Sequence, residues 1–177
     1  MAPPTSLLQV VATVGRATPP RRPPELSWLG GGGELHTLLE QSDFVVIAAP
    51  LTAATRGLIG AAELRRMRRS AYLLNIARGP LVDEAALYSA LTSGVIAGAA
   101  LDVWYKWPNV GGGQRECAPY DLKATPFHEL PNVLLSPHTS GWSDAQLSRR
   151  LSIVAANLDA VAEGRTPRNI VYRGGAP

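Results

Sequence analysis

Residues 71–101, AYLLNIARGPLVDEAALYSALTSGVIAGAAL, decide the fold. AYLLNIA (71–77) is a short, continuous apolar run bounded by turn residues, the pattern of a buried parallel strand. DEAALYSALTSG (83–94) reads as a helix: Asp83 and Glu84 complement the positive end of its first turn, and Gly94 stops it. VIAGAALDVW (95–104) supplies the next strand. Strand, helix and strand in this order form a βα unit, which implies a parallel sheet.

The same alternation continues outward. FVVIAA (44–49), ending at Pro50, predicts another buried strand, and Ala61 to Met67 a helix. NVLLSPH (132–138) predicts a fourth strand. A final amphipathic helix runs from about Ser143 to Ala162, with Leu147, Leu151, Val154 and Leu158 on one face. Toward the N-terminus, Leu35, Leu38 and Leu39 recur at helical spacing, and the apolar run Leu7 to Val14 reads as a strand. The prolines of residues 17–24 enforce a loop. The run Gly30 to Gly33 has two readings, a phosphate cradle at a helix N-terminus or a flexible connection. The second is preferred, because the run lacks G-x-G-x-x-G spacing and no clear strand leads into it. The fold class is α/β with a doubly wound parallel sheet. The boundaries are a basic, proline-rich segment 1–24, a main domain 25–142, and a helix with tail 143–177.

In such sheets, ligands bind beyond the carboxyl ends of the strands. Pro50, Ala77-Arg78, Asp102 and His138 each close a predicted strand. Arginine offers a planar fork matched to a carboxylate, and histidine exchanges a proton near neutral pH. Together with a carboxylate they suit a small anionic substrate. Each residue also has a plain structural reading: Asp102 capping a turn, Arg78 pairing with Asp83, His138 a surface histidine. Their shared placement on one edge favours the site. No metal site is expected.

MRRSAYLLNIARGPLVDEAAL (67–87) resembles the signature of the D-isomer-specific 2-hydroxyacid dehydrogenases. SDFVVIAAPLTAATRGLI (42–59), GAALDVW (98–104) and HELPNVLLSPHTSGW (128–142) resemble the flanking motifs of that family, in the same order. The resemblance implies a Rossmann-like dinucleotide-binding domain and NAD- or NADP-dependent interconversion of a 2-oxo acid, such as glyoxylate or hydroxypyruvate, with a D-2-hydroxy acid. It assigns Arg78 to the substrate carboxylate and carbonyl, and His138 to proton transfer. It places Ala49, Pro50, Thr55, Ile76, Ala77, Arg78, Asp102, His138 and Gly141 along the cofactor. It also favours a homodimer.

Three departures from the family pattern bear on activity. Where the family has a glutamate five residues after the aspartate matching Asp102, this chain has Trp107, followed by Pro108. Loss of an orienting carboxylate from a comparable histidine costs about 10⁴ in rate; Glu116, Asp121 or Glu129 are the acids available to substitute. The Gly-rich dinucleotide loop, which belongs before the strand at 7–14, is absent. The expectation is therefore a sheet lacking its first βα unit, a truncated chain with impaired activity, and an apolar strand edge at 44–49 open to pairing in trans. Finally, Val14, Gly15 and Arg16 stand where an acid would hold the ribose of NAD, which leans toward NADP. The alternative from another class is a catalytically inactive dinucleotide-fold module acting in binding or dimerisation.

Charge excludes one further class. The chain of 177 residues carries 17 Lys and Arg against 14 Asp and Glu, a net +3. Arg16, Arg21 and Arg22 lie in the acid-free segment 1–24, so the remainder is neutral. A face that released phosphate counterions would show an excess in the folded part, and nucleic acid is not an expected partner. No stretch approaches the roughly 18 apolar residues of a membrane span. A single cysteine, Cys117, suits a reducing compartment, giving a cytoplasmic location, or an organellar one if residues 1–24 serve as a transit peptide.

Overall fold

A computed structural model describes residues 9–13, 24–106 and 120–170. The chain divides into two compact units, Met1–His138 and Thr139–Pro177. In the first unit, β1 (Val11–Thr13) pairs in parallel with β2 (Trp28–Gly30). After α1 (Leu35–Gln41) come β3 (Phe44–Ile47), α2 (Ala61–Arg66), β4 (Tyr72–Asn75), α3 (Glu84–Thr92), β5 (Gly98–Leu101) and β6 (Val133–Leu135). β3 to β6 form one parallel sheet in chain order. In the second unit, α4 spans Asp144–Ala162.

The local causes match the sequence reading for α3, where the Asp83 carboxylate accepts the Ala86 N–H at 2.7 Å as a helix cap. Among the described residues Arg78 and Asp83 form no ion pair, so that plain reading of Arg78 does not hold. The Gly30–Gly33 reading needs correction, because β2 runs directly into it. β2 escapes prediction because WLG is only three residues long and is closed by its own glycine. The turn is also structured rather than loose: Glu34 reaches back to accept the Gly31 N–H at 2.7 Å.

A second correction concerns burial. FVVI and YLLN read as strands covered on both faces, yet only one face is covered. Val45, Ile47, Leu73, Ala99 and Leu101 join Leu39 of α1, Leu64 of α2 and Leu87 of α3 in the core. Phe44 and Val46 on β3, Tyr72 on β4 and Leu134 on β6 point the other way and are exposed, Leu134 by 71%. Topology explains this. A sheet growing in one direction through right-handed crossovers puts α2 and α3 on the same side. Among the described residues, β3 pairs only with β4 and is an edge of this sheet, as expected. Phe44 stacks on its registered neighbour Tyr72 at 5.7 Å. The predicted apolar face of α4 is likewise exposed at Leu147, Leu151, Val154 and Leu158.

Candidate active site

The last residues of the four strands lie in one hydrogen-bonded row, Ile47 beside Asn75, Asn75 beside Leu101, and Leu101 beside Leu135. Adjacent strands in such a row are about 4.8 Å apart. The chain leaves β4 toward Arg78, β5 at Asp102, and β6 toward His138. The structure thus brings Arg78, Asp102 and His138 to three consecutive strand ends.

The loop after β3 carries Ala49, Pro50 and Thr55. The Thr55 hydroxyl donates to Pro50 O at 2.7 Å and accepts the Thr52 N–H at 2.8 Å, so it shapes the loop's own backbone. This loop is fastened to the one after β4: Gly57 N–H donates to Pro80 O at 2.9 Å and Ile59 N–H to Leu81 O at 3.0 Å. Gly57 has φ +66, which a glycine adopts without strain.

After β4, Ile76 is exposed and Ala77 half-buried. The Arg78 guanidinium donates through Nη1 to Ala77 O at 2.6 Å and, among the described residues, forms no ion pair. The Asn75 side chain, 1% exposed, donates to Arg78 O at 2.9 Å and accepts the Ala77 N–H at 3.2 Å. Gly79 sits against the Trp104 backbone: a Cβ there would lie 2.2 Å from Trp104 O.

Asp102 is 4% exposed, and its Oδ1 accepts a hydrogen bond from the Ser136 hydroxyl. His138 is exposed and holds φ +58, a backbone region few non-glycine residues occupy. Gly141 belongs to the second unit.

Of the acids that could replace the one absent at Trp107, Asp121 is committed to its own turn. Its Oδ1 accepts the Lys123 and Ala124 N–H groups, both at 3.0 Å, and the Ala124 and Lys123 bonds hold its carboxyl below the usual range. Glu129 precedes β6 and therefore stands at the opposite end of that strand from His138. Trp107, Glu116 and Cys117 lie outside the described residues, as do Val14, Gly15 and Arg16. Glu84 anchors the segment after them, accepting the Asp121 N–H at 2.9 Å and the Thr125 hydroxyl at 2.5 Å. Beside it, burial first, then the Glu84 and Asp83 carboxylates, push the Tyr105 hydroxyl well above its ordinary range.

The sequence gives Asn75 and Ser136 no role at the site, and gives Glu84 only a place in the first turn of α3. The signal for Asn75 was present, since a polar amide inside an apolar strand must find partners. Among the described residues no cluster of His, Cys, Asp or Glu could hold a metal ion, and no helix is long and apolar enough to cross a membrane.

Residues 16–140 match the family model of the D-isomer specific 2-hydroxyacid dehydrogenase, NAD binding domain. A glyoxylate reductase of Korarchaeum cryptofilum is 44% identical over 137 residues, which cover 77% of this chain and 38% of that protein. The chain thus spans about two-fifths of the length of the curated relatives it matches. The NAD-complexed D-isomer specific 2-hydroxyacid dehydrogenase of Lactobacillus delbrueckii ssp. bulgaricus superposes with a TM-score of 0.74 at 32% identity, over 93% of this chain and 48% of that one. A D-isomer specific 2-hydroxyacid dehydrogenase of Xanthobacter autotrophicus, in complex with NADPH and MES, gives 0.70 at 33% identity, over 93% and 61%.

Proposed function

Because the chain belongs to the D-isomer specific 2-hydroxyacid dehydrogenase family through its NAD-binding domain, we propose that this sheet edge reduces a small 2-oxo acid, such as glyoxylate or hydroxypyruvate, with NADH or NADPH. The observation that carries the reading is the alignment of Arg78, Asp102 and His138 on consecutive strand ends.

The residues present fit the nicotinamide end of a dinucleotide. Ile76 offers exposed apolar surface just past the end of β4, Asp102 follows the end of the neighbouring β5, and the loop of Ala49, Pro50 and Thr55 is fastened to the segment after β4. The pyrophosphate end has less support, since the Gly31 N–H at the glycine-rich turn is already taken by the Glu34 carboxylate. When bound, the nicotinamide supplies hydride. Arg78 fixes the substrate carboxylate and polarises its carbonyl, a task suited to an exposed guanidinium with no carboxylate partner among the described residues. His138 gives a proton to the carbonyl oxygen as the alcohol forms. Ala77 completes the lining. The sequence Val14-Gly15-Arg16, with no acid, favours NADPH.

The reading includes a homodimer, supported by the exposed apolar face of Phe44, Val46, Tyr72 and Leu134. It also includes a cytoplasmic location, supported by a composition with one cysteine. The test is NADH and NADPH oxidation by the full chain with glyoxylate. Turnover that falls at least about 100-fold in Arg78→Ala is expected. Turnover indifferent to Arg78→Ala contradicts the reading, and dinucleotide-independent self-association without turnover supports the binding-module alternative.

A further inference from the structure

We propose that Asn75 is a positioning residue: its buried carboxamide sets the turn presenting Arg78, while its main-chain carbonyl joins that turn to Asp102 at the end of the next strand. The inference rests on the reading of Arg78 as the substrate-binding cation.

Three bonds carry it. The Asn75 Nδ2 group donates to Arg78 O at 2.9 Å, and its Oδ1 accepts the Ala77 N–H at 3.2 Å. Its main-chain carbonyl accepts the Asp102 N–H at 3.0 Å. A carboxamide is the group that donates and accepts from adjacent atoms, so both halves are satisfied in one orientation only. At 1% exposure an unmatched half would carry the full desolvation penalty. One residue thereby holds the backbone on both sides of the Ala77–Arg78 peptide and the start of the Asp102 turn.

The outer side of the turn is held as well. Gly79 lies so close to the Trp104 backbone that a Cβ has no room, and Leu81 N–H donates to Arg78 O at 3.2 Å. Among the described residues, the Arg78 side chain has only its bond to Ala77 O. Its placement is therefore decided by the backbone that Asn75 grips.

The test compares Asn75→Asp, which keeps the acceptor and loses the donor, with Asn75→Ala, which loses both. In the full chain, amide hydrogen exchange at Ala77 should accelerate about tenfold in Asn75→Ala. Leu73 and Leu101 should keep their protection, reporting an intact sheet. The KM for glyoxylate should rise about tenfold in both variants, with a smaller change in kcat. Should Asn75→Ala fail to fold, the near-isosteric Asn75→Asp carries the test through KM. Wild-type values of glyoxylate KM in the Asn75 variants, with Arg78→Ala still impaired, overturn the positioning role alone. An unaffected Arg78→Ala overturns the parent reading instead.

Discussion

The hydroxyl of Ser136 donates a hydrogen bond to Oδ1 of the buried Asp102, tying the end of β6 to the end of β5. The Ser136 N–H donates to Leu101 O at 3.0 Å, so main chain and side chain converge on the same neighbour. Ser136→Ala removes one of the bonds to a buried carboxyl. The expected cost is about 1–3 kcal/mol, read as a lower urea midpoint at unchanged slope. A midpoint equal to wild type would show that the bond contributes nothing.

Gly79→Ala and Gly33→Ala should differ sharply. At Gly79 the new methyl meets Trp104 O, and backbone must move; at Gly33 a Cβ has no neighbour within 4 Å. Gly79→Ala should cost about 1–3 kcal/mol, and Gly33→Ala should stay within about 0.5 kcal/mol. Thermal unfolding of the two variants side by side makes the comparison.

Glu63 gives the fold a dependence on acid. Its Oε2 accepts the Gly60 N–H at 3.0 Å at the start of α2, and Oε1 lies 3.2 Å from His36 Nε2. Partial burial raises its pKa, but the bonds from His36 and from the Glu63 and Gly60 backbone outweigh this and leave it lowered. The native state therefore binds this proton less readily than the unfolded chain. The stabilisation is complete above the ordinary carboxylate range and is lost as pH falls through the lowered native value. Glu63→Gln should flatten that part of the stability–pH curve, with a cost of about 0.5–2 kcal/mol at neutral pH. Urea midpoints measured across the acid range check both.

The two faces of the sheet should respond differently to substitution. Leu134, on the uncovered face, is 71% exposed, whereas Leu73 on the covered face is fully buried. Leu134→Lys should change stability by no more than about 0.5 kcal/mol while reducing self-association in sedimentation. Leu73→Ala should cost about 2–5 kcal/mol.

The sequence shows most clearly those elements whose causes are local. Asp83 and Gly94 bracket α3, and the row of strand ends follows from apolar runs that stop at Pro50, Arg78, Asp102 and His138. What it hides depends on partners distant in the chain. FVVI is apolar at every position, so nothing within it tells that Val45 and Ile47 are covered while Phe44 and Val46 are not. β2 is too short for a period to show. Ser136 and Glu84 become meaningful only when folding brings Asp102 and Thr125 to them, across 34 and 41 residues. Asn75 was legible as part of a signature, but its task emerges from the two bonds its carboxamide makes.

The most direct test of the central claim is a double-mutant cycle on glyoxylate reduction, comparing kcat/KM for Arg78→Ala, His138→Ala and the double variant. Residues acting as one catalytic unit are strongly non-additive. Each single variant should lose at least about 100-fold, and the double variant should lose little more than the worse single. Losses that multiply, or single variants that retain wild-type kcat/KM, would contradict a shared site at this sheet edge.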